Sequence, residues 1–202
     1  MSPAKLPNFS GGVLAGGEGR RFGGLDKGWL EHDGRAFIEI TLDHLRPLAS
    51  ELRISANRHL DRYARLGVPV LSDRLGAGPL AGLLRLLETA TTDWLLSLPC
   101  DALALPDSLP ERLFASQQAT QADIVVLEDD DGVHPTVSLT RCALAPDLER
   151  FLLGSERHSV KDWQARHHTV RLHSDGVLAN VNDPVALNRY AQGLACGSPA
   201  HG

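Results

Sequence analysis

"VLAGGEGRRFGGLDKG", Val13 to Gly28, continues a short apolar run and holds six glycines, two adjacent arginines and one lysine. Glycines placed after a strand let the backbone turn sharply and bring its N–H groups close to a ligand, most often phosphate. Two familiar nucleotide loops come close and fail. The dinucleotide pattern GxGxxG breaks at Phe22, which stands where the third glycine belongs. The GxxxxGK[ST] loop breaks at Lys27, which is preceded by Asp26 and followed by Gly28, so the magnesium-binding hydroxyl is missing.

Outward from this loop, segments of strand character alternate with helical ones. "GVLA" before the glycines, "ELRISAN" (51–57), "VPVLSD" (68–73), "DWLLSLPCD" (93–101) and "ADIVVLE" (122–128) are short apolar runs suited to a buried, mainly parallel sheet. "FIEITLDHLRPLA" and "PLAGLLRLLETA" repeat their apolar residues at three and four positions, the period of an amphipathic helix, with Pro79 in a first helical turn. The expected fold is therefore α/β: a single doubly wound, mainly parallel sheet with helices on both faces. In such sheets ligands collect beyond the C-terminal ends of the strands. "EDDDG" followed by "VHPTVSLT" predicts a solvated tip and a small antiparallel edge hairpin. "SVKDWQARHH" reads as helical, "TVRLH" as extended, and "NDPVALNRYAQ" as a closing helix capped by Asn182 or Asp183.

The chain of 202 residues suits one domain, 1–202, with a core over about 10–192 and short flexible tails. Its net charge of -5 offers no global positive field for nucleic acid or a membrane surface, so an anionic ligand must be met by local groups. Cys100, Cys142 and Cys196 lie far apart without CxxC spacing, which speaks against a zinc site or a disulfide framework and for a reducing, cytoplasmic setting. No apolar stretch approaches the roughly 20 residues of a membrane span.

The run Leu14-Ala15-Gly16-Gly17-x-Gly19-x-Arg21-Phe22-Gly23-Gly24-x-Asp26-Lys27 resembles the N-terminal signature of nucleotidyltransferases that join a nucleoside monophosphate to a phosphorylated acceptor. Within that superfamily it is similar to the molybdenum cofactor guanylyltransferases. "ISANR" with Asn57, "VLSDRLGAGPLAGLL" with Asp73, "LLSLPCDALAL" with Asp101 and "NVNDPVAL" agree with that family in order and spacing, so that the resemblance runs from about Gly12 to Tyr190. Phe22 and Gly19 depart from the family's usual methionine and serine without removing a charge.

The resemblance implies attack of the terminal phosphate of molybdenum-molybdopterin on the α-phosphorus of GTP, with Mg²⁺ as cofactor. It also implies partner proteins that deliver the cofactor or receive the product. Leu14, Ala15, Gly16 and Gly17, with Lys27, Asn57, Asp73 and Asp101, would bind nucleotide, and Lys27, Arg21 and Asp101 would serve the transfer. Asp101, expected as an exposed carboxylate at a strand end, would hold the metal. Gly78, Gly82, Asn180, Asn182 and Asp183 are assigned to the acceptor side. Taken without the resemblance, Asp101 is equally a turn former, Asn57 and Asp73 are loop residues satisfying their own backbone, and Asn182 is a helix cap. Cytidylyltransferases of the same cofactor tend to carry Ala-Ala-Gly where Ala15-Gly16-Gly17 stands here, so Gly16 favours GTP over CTP. A phosphorylated-sugar acceptor, or a GTP-binding module without turnover, are the alternatives. His134 is open between an acceptor-side and a structural role.

Overall fold

The computed structural model describes residues 6–16, 25–75, 78–103, 105–154 and 159–175. Gly17, Arg21, Asn180, Asn182, Asp183 and the expected closing helix lie outside these residues.

The chain opens with β1 (Ser10–Leu14), buried along its whole length, and reaches α1 (Phe37–Leu45) after a two-stranded antiparallel sheet of β2 (Glu31–His32) and β3 (Arg35–Ala36). α1 stops two residues before Pro47, whose ring and missing N–H prevent continuation. There follow β4 (Glu51–Ser55), α2 (Leu60–Ala64), β5 (Val70–Leu71), α3 (Pro79–Thr89) and β6 (Trp94–Pro99). The second half adds α4 (Leu109–Thr120), β7 (Ile124–Asp129), β8 (Gly132–Arg141), α5 (Ala145–Gly154), α6 (Val160–Gln164) and β9 (Thr169–His173).

One sheet gathers seven of these strands in the order β5-β4-β1-β6-β8-β7-β9. β1 runs parallel to both β4 and β6, and β4 parallel to β5. The hairpin of β7 and β8 brings the antiparallel pairs, and it lies one strand in from the edge because β9 closes in parallel onto β7. Helices cover both faces. Leu42 and Leu45 of α1, Tyr63 of α2 and Leu113 of α4 join one core cluster; Leu83 and Leu86 of α3, Leu148 of α5 and Trp163 of α6 join the other.

This topology has a functional consequence. From β1 the chain steps to one side through α1, then crosses back over the opposite face through α3 to place β6 on β1's other side. The order of strands therefore reverses between β1 and β6, which opens a crevice above their C-terminal ends.

Candidate active site

Leu14 of β1 pairs with Ser55 of β4 and Pro99 of β6, and Ser55 pairs with Leu71 of β5, so the four strand ends form one level row. Two residues past that row each segment presents a sequence-predicted site residue: Gly16, Asn57, Asp73 and Asp101. Backbone bonds hold the segments together beyond the sheet: Ala15 N–H donates to Ser55 O at 2.8 Å, Ala56 N–H to Leu71 O at 2.9 Å, and Cys100 N–H to Leu14 O at 3.0 Å.

Asp101 is not the exposed carboxylate expected from its strand-end position; it is only 5% exposed. The Cys100 peptide before it is drawn inward, its N–H bonded to β1 and its carbonyl accepting from Thr41 Oγ1 of α1 at 3.1 Å. A carboxylate so placed needs a counter-charge, and Lys27 Nζ donates to its Oδ2. Lys27 belongs to a 3-10 turn, Lys27–Trp29, whose N-cap Asp26 accepts from Gly28 N–H at 3.2 Å. Burial, with the charge of Asp101 beside it, pushes the Cys100 thiol far up, so it is a packing residue and not a nucleophile at neutral pH.

Asn57 and Asp73 form a reciprocal pair. Asn57 Nδ2 donates to Asp73 Oδ2 at 2.6 Å, Asp73 N–H donates to Asn57 Oδ1 at 2.9 Å, and Ser55 Oγ reaches Asp73 Oδ1 at 3.2 Å. Gly16 lies between this pair and the Lys27–Asp101 pair: it lines the cleft with both of the latter, and a Cβ added to it would stand 3.5 Å from Asn57 Nδ2. The cleft measures about 480 Å³, and its lining includes Leu14, Lys27, Gly78, Asp101, His134 and Thr136. A smaller cavity of about 230 Å³ between α1 and the Leu105–Pro110 segment holds none of the predicted site residues.

Gly78 is the N-cap of α3 at φ 96°, a conformation closed to most side chains, and Pro79 follows as the first helical residue. Gly82 does something else. It is buried inside α3, where a Cβ would come within 2.6 Å of Ser55 Oγ and 2.9 Å of Leu14 Cδ2, so it sets how low the helix sits on the sheet. Ala15 likewise faces the core, 6% exposed.

The acidic run Glu128 to Asp131 corrects the expectation of a wholly solvated tip. Asp130 is exposed, but the Asp129 side chain is fully buried, accepts from Asp131 N–H at 2.9 Å and Gly132 N–H at 3.1 Å, and lies 2.8 Å from His134 Nε2. An aspartate two and three residues ahead of free turn N–H groups is the signal that was there to find. Among the described residues no group of three or more His, Cys, Asp or Glu side chains is placed to hold a metal ion.

A sequence profile of the MobA-like NTP transferase domain matches residues 11–170. The chain belongs to the MobA-like NTP transferase family. It is thus a nucleotidyltransferase, and the family match runs from β1 into β9, taking in both side-chain pairs. Among curated relatives of this MobA-like enzyme, the molybdenum cofactor guanylyltransferase of Shewanella baltica is 40% identical over 184 residues, 89% of this chain and 93% of its own. That of Shewanella woodyi is 38% identical over 188 residues, covering 91% and 95%. The same fold occurs in the molybdopterin-guanine dinucleotide biosynthesis protein A of Archaeoglobus fulgidus, with a TM-score of 0.74 at 20% identity over 91% of this chain and 97% of that one. No helix among the described residues is long and apolar enough to cross a membrane.

Proposed function

We propose that this enzyme transfers GMP from GTP to the terminal phosphate of the molybdenum-molybdopterin cofactor, releasing pyrophosphate and forming a guanine dinucleotide cofactor. The observation that carries the reading is the level row: four strand ends bring Gly16, Asn57, Asp73 and Asp101, joined by Lys27, to one crevice. Relatives about 40% identical over nearly their whole length carry the guanylyltransferase name, which supports the choice of nucleotide and acceptor.

In this reading Asn57 and Asp73 take the guanine or ribose, exchanging their mutual hydrogen bonds for bonds to the ligand's donors. Gly16, lacking a Cβ, leaves width for a purine between them and the phosphates. The resemblance adds the backbone N–H groups from Gly16 to Gly19 as a cradle for the triphosphate, with Arg21 as a further cation; Leu14 lines the cleft, and Ala15, facing the core, would contribute by holding the strand end under the nucleotide. An oxygen of the acceptor phosphate attacks the α-phosphorus, the bond from that phosphorus to the α–β bridging oxygen breaks, and pyrophosphate leaves with the electron pair. Lys27 neutralises the charge that builds on the leaving group.

Asp101 is the residue that would hold a divalent cation, Mg²⁺ in this reading. A single buried carboxylate without a closed cage of ligands fits an ion that keeps several waters and takes its other oxygens from nucleotide phosphates. When bound, it would spread the phosphate charge of the nucleotide. The acceptor lies on the β8 side of the cleft, beside Gly78 and His134, and the resemblance adds Asn180, Asn182 and Asp183 there; Gly82 contributes by seating α3. The enzyme works in the cytoplasm, between partners that supply the cofactor and receive the dinucleotide.

Incubation with molybdenum-molybdopterin, Mg²⁺ and each nucleoside triphosphate, read by mass spectrometry, tests the reading. A guanine dinucleotide formed with GTP, and little product with CTP or ATP, is the expected result. A cytosine dinucleotide as main product, transfer to a sugar phosphate instead, or tight GTP binding with no transfer would each replace it.

A further inference from the structure

Lys27 and Asp101 lie 74 residues apart, and nothing in the Lys27 turn itself dictates that the ammonium should meet this carboxylate. The turn is, however, clamped from the other side. Tyr63 of α2, fully buried, donates its hydroxyl to Asp26 Oδ1 at 2.6 Å. The same oxygen accepts from Gly28 N–H. Gly28 packs so closely on Tyr63 Oη that any Cβ there would collide with it. Trp29 lays its ring against Tyr63 with centroids 5.0 Å apart, and the Arg62 guanidinium lies over the indole at 3.9 Å from the ring centroid. Residues 26, 28 and 29 are thus held by α2, and Lys27 between them reaches Asp101 in the cleft. The helix that does this begins three residues after Asn57, past His59 in a left-handed conformation at φ 50°, so one short segment supports both the Lys27 turn and the base-side pair.

We propose that Tyr63 is a positioning residue for the transfer reaction: its hydroxyl, through Asp26, sets the place of the Lys27 ammonium against the phosphates of the nucleotide. Burial and the neighbouring Asp26 keep the phenol protonated, so it remains a hydrogen-bond donor throughout the working pH range. The proposal rests on the assignment of Lys27 to the transfer step. It does not place Tyr63 in contact with substrate.

Y63F removes one oxygen and keeps the ring on Trp29. The expected result is a fall in kcat of about ten- to a hundredfold, the scale set by a misplacement of about 1 Å in a positioned group, with the Kd for GTP changed less than about threefold. A residue that merely supports the fold would lower activity in any background. A positioning residue acting through Lys27 must lose its effect when the lysine is gone, so Y63F in a K27M background should cost nothing further. An equal loss in both backgrounds, or wild-type kcat in Y63F, overturns the proposal. A second readout needs no substrate. The chain has three lysines, Lys5, Lys27 and Lys161, so ε-¹³C-lysine labelling resolves Lys27 by NMR. Its signal should move toward the random-coil position in Y63F and equally in D26A, which removes the acceptor should Y63F fold poorly; a signal unmoved in both also overturns the proposal. If wild-type protein makes no guanine dinucleotide while the NMR signal moves as stated, the functional reading falls and the positioning of Lys27 stands.

Discussion

The Lys27–Asp101 pair combines two demands that usually conflict. In the proposed function Asp101 meets a cation and phosphates inside the cleft, yet a carboxylate withdrawn from bulk water needs compensation, and the ammonium supplies it. Asp101→Asn keeps the volume and one acceptor oxygen for Lys27 but removes the charge. Transfer should fall about 10²–10³-fold, as for the loss of one electrostatic group at a phosphoryl or acyl centre, while the melting temperature stays within a few degrees. Near-normal turnover of this variant in the presence of a chelator would exclude a metal role for Asp101. Gly16 makes a separate prediction. A methyl there meets Asn57 Nδ2 at 3.5 Å, ordinary van der Waals contact, so G16A should fold normally. It narrows the space beside the base, and the ratio of kcat/KM for GTP to that for CTP should drop; an unchanged ratio would remove the purine argument. At this scale the sequence discloses which residue types cluster near strand ends, since glycine, asparagine and aspartate there are visible by eye. It does not disclose that Asp26 and Tyr63, 37 residues apart, share a hydrogen bond, because nothing in their spacing encodes the contact.

At the scale of elements, β1, β6 and α3 were legible because strands buried along their length read as short apolar runs and α3 repeats leucine at helical spacing, while β4 and β5, partly buried toward the edge, showed in shorter apolar stretches. α4 and α5 escape that reading. The buried face of α4 includes Pro110 and Gln117, and α5 carries Pro146 in its first turn, so neither shows an unbroken apolar stripe. β2 and β3, two residues each, are too short for any period to register. The position of β9 outside the hairpin follows from parallel pairing with β7, a long-range choice that alternation alone leaves open. Gly82 on α3 yields a stability test: in G82A the new methyl must displace Ser55 Oγ and Leu14, and overpacking of this kind costs about 1–3 kcal/mol. Chemical unfolding that shows no loss would mean α3 can ride higher on the sheet without penalty. The start of β4 carries a pH signature. Burial alone would raise the Glu51 carboxyl, but bonds from Arg53, Ser10 Oγ and Thr91 N–H outweigh it and bring it from 4.5 down to about 2. A value depressed in the folded state contributes stability above pH about 4.5 that is lost as the pH falls toward about 2. E51Q should therefore be less stable than wild type by about 1–2 kcal/mol at neutral pH, and the gap should close progressively over that acidic window.

At the scale of the whole molecule, the walls of the cleft are built by the sheet itself. The crossover that reverses strand order leaves the crevice between β1 and β6 as a product of topology, and its walls are tied by backbone bonds, Cys100 to Leu14 and Ala15 to Ser55, that belong to the core on both faces. A nucleotide entering such a cleft binds the folded chain and not the unfolded one, so it must raise stability by RT ln(1 + [L]/Kd), about 2.7 kcal/mol when the ligand is at a hundred times its Kd. In a chain of this length each kcal/mol moves the melting temperature by about 2–4 °C, which gives an expected shift of about 5–10 °C for saturating GTP with Mg²⁺. The shift should depend on both pairs of side chains and through different terms. D73N should abolish the advantage of GTP over CTP and ATP, because the carboxylate that accepts from Asn57 and Ser55 is the group left to accept from a guanine edge. K27M should lower the shift for all three triphosphates alike, because an ammonium at the phosphates does not distinguish bases. Equal stabilisation of the wild type by GTP, CTP and ATP would sink the guanine assignment, and a K27M effect confined to GTP would move Lys27 from the phosphate end of the cleft to the base.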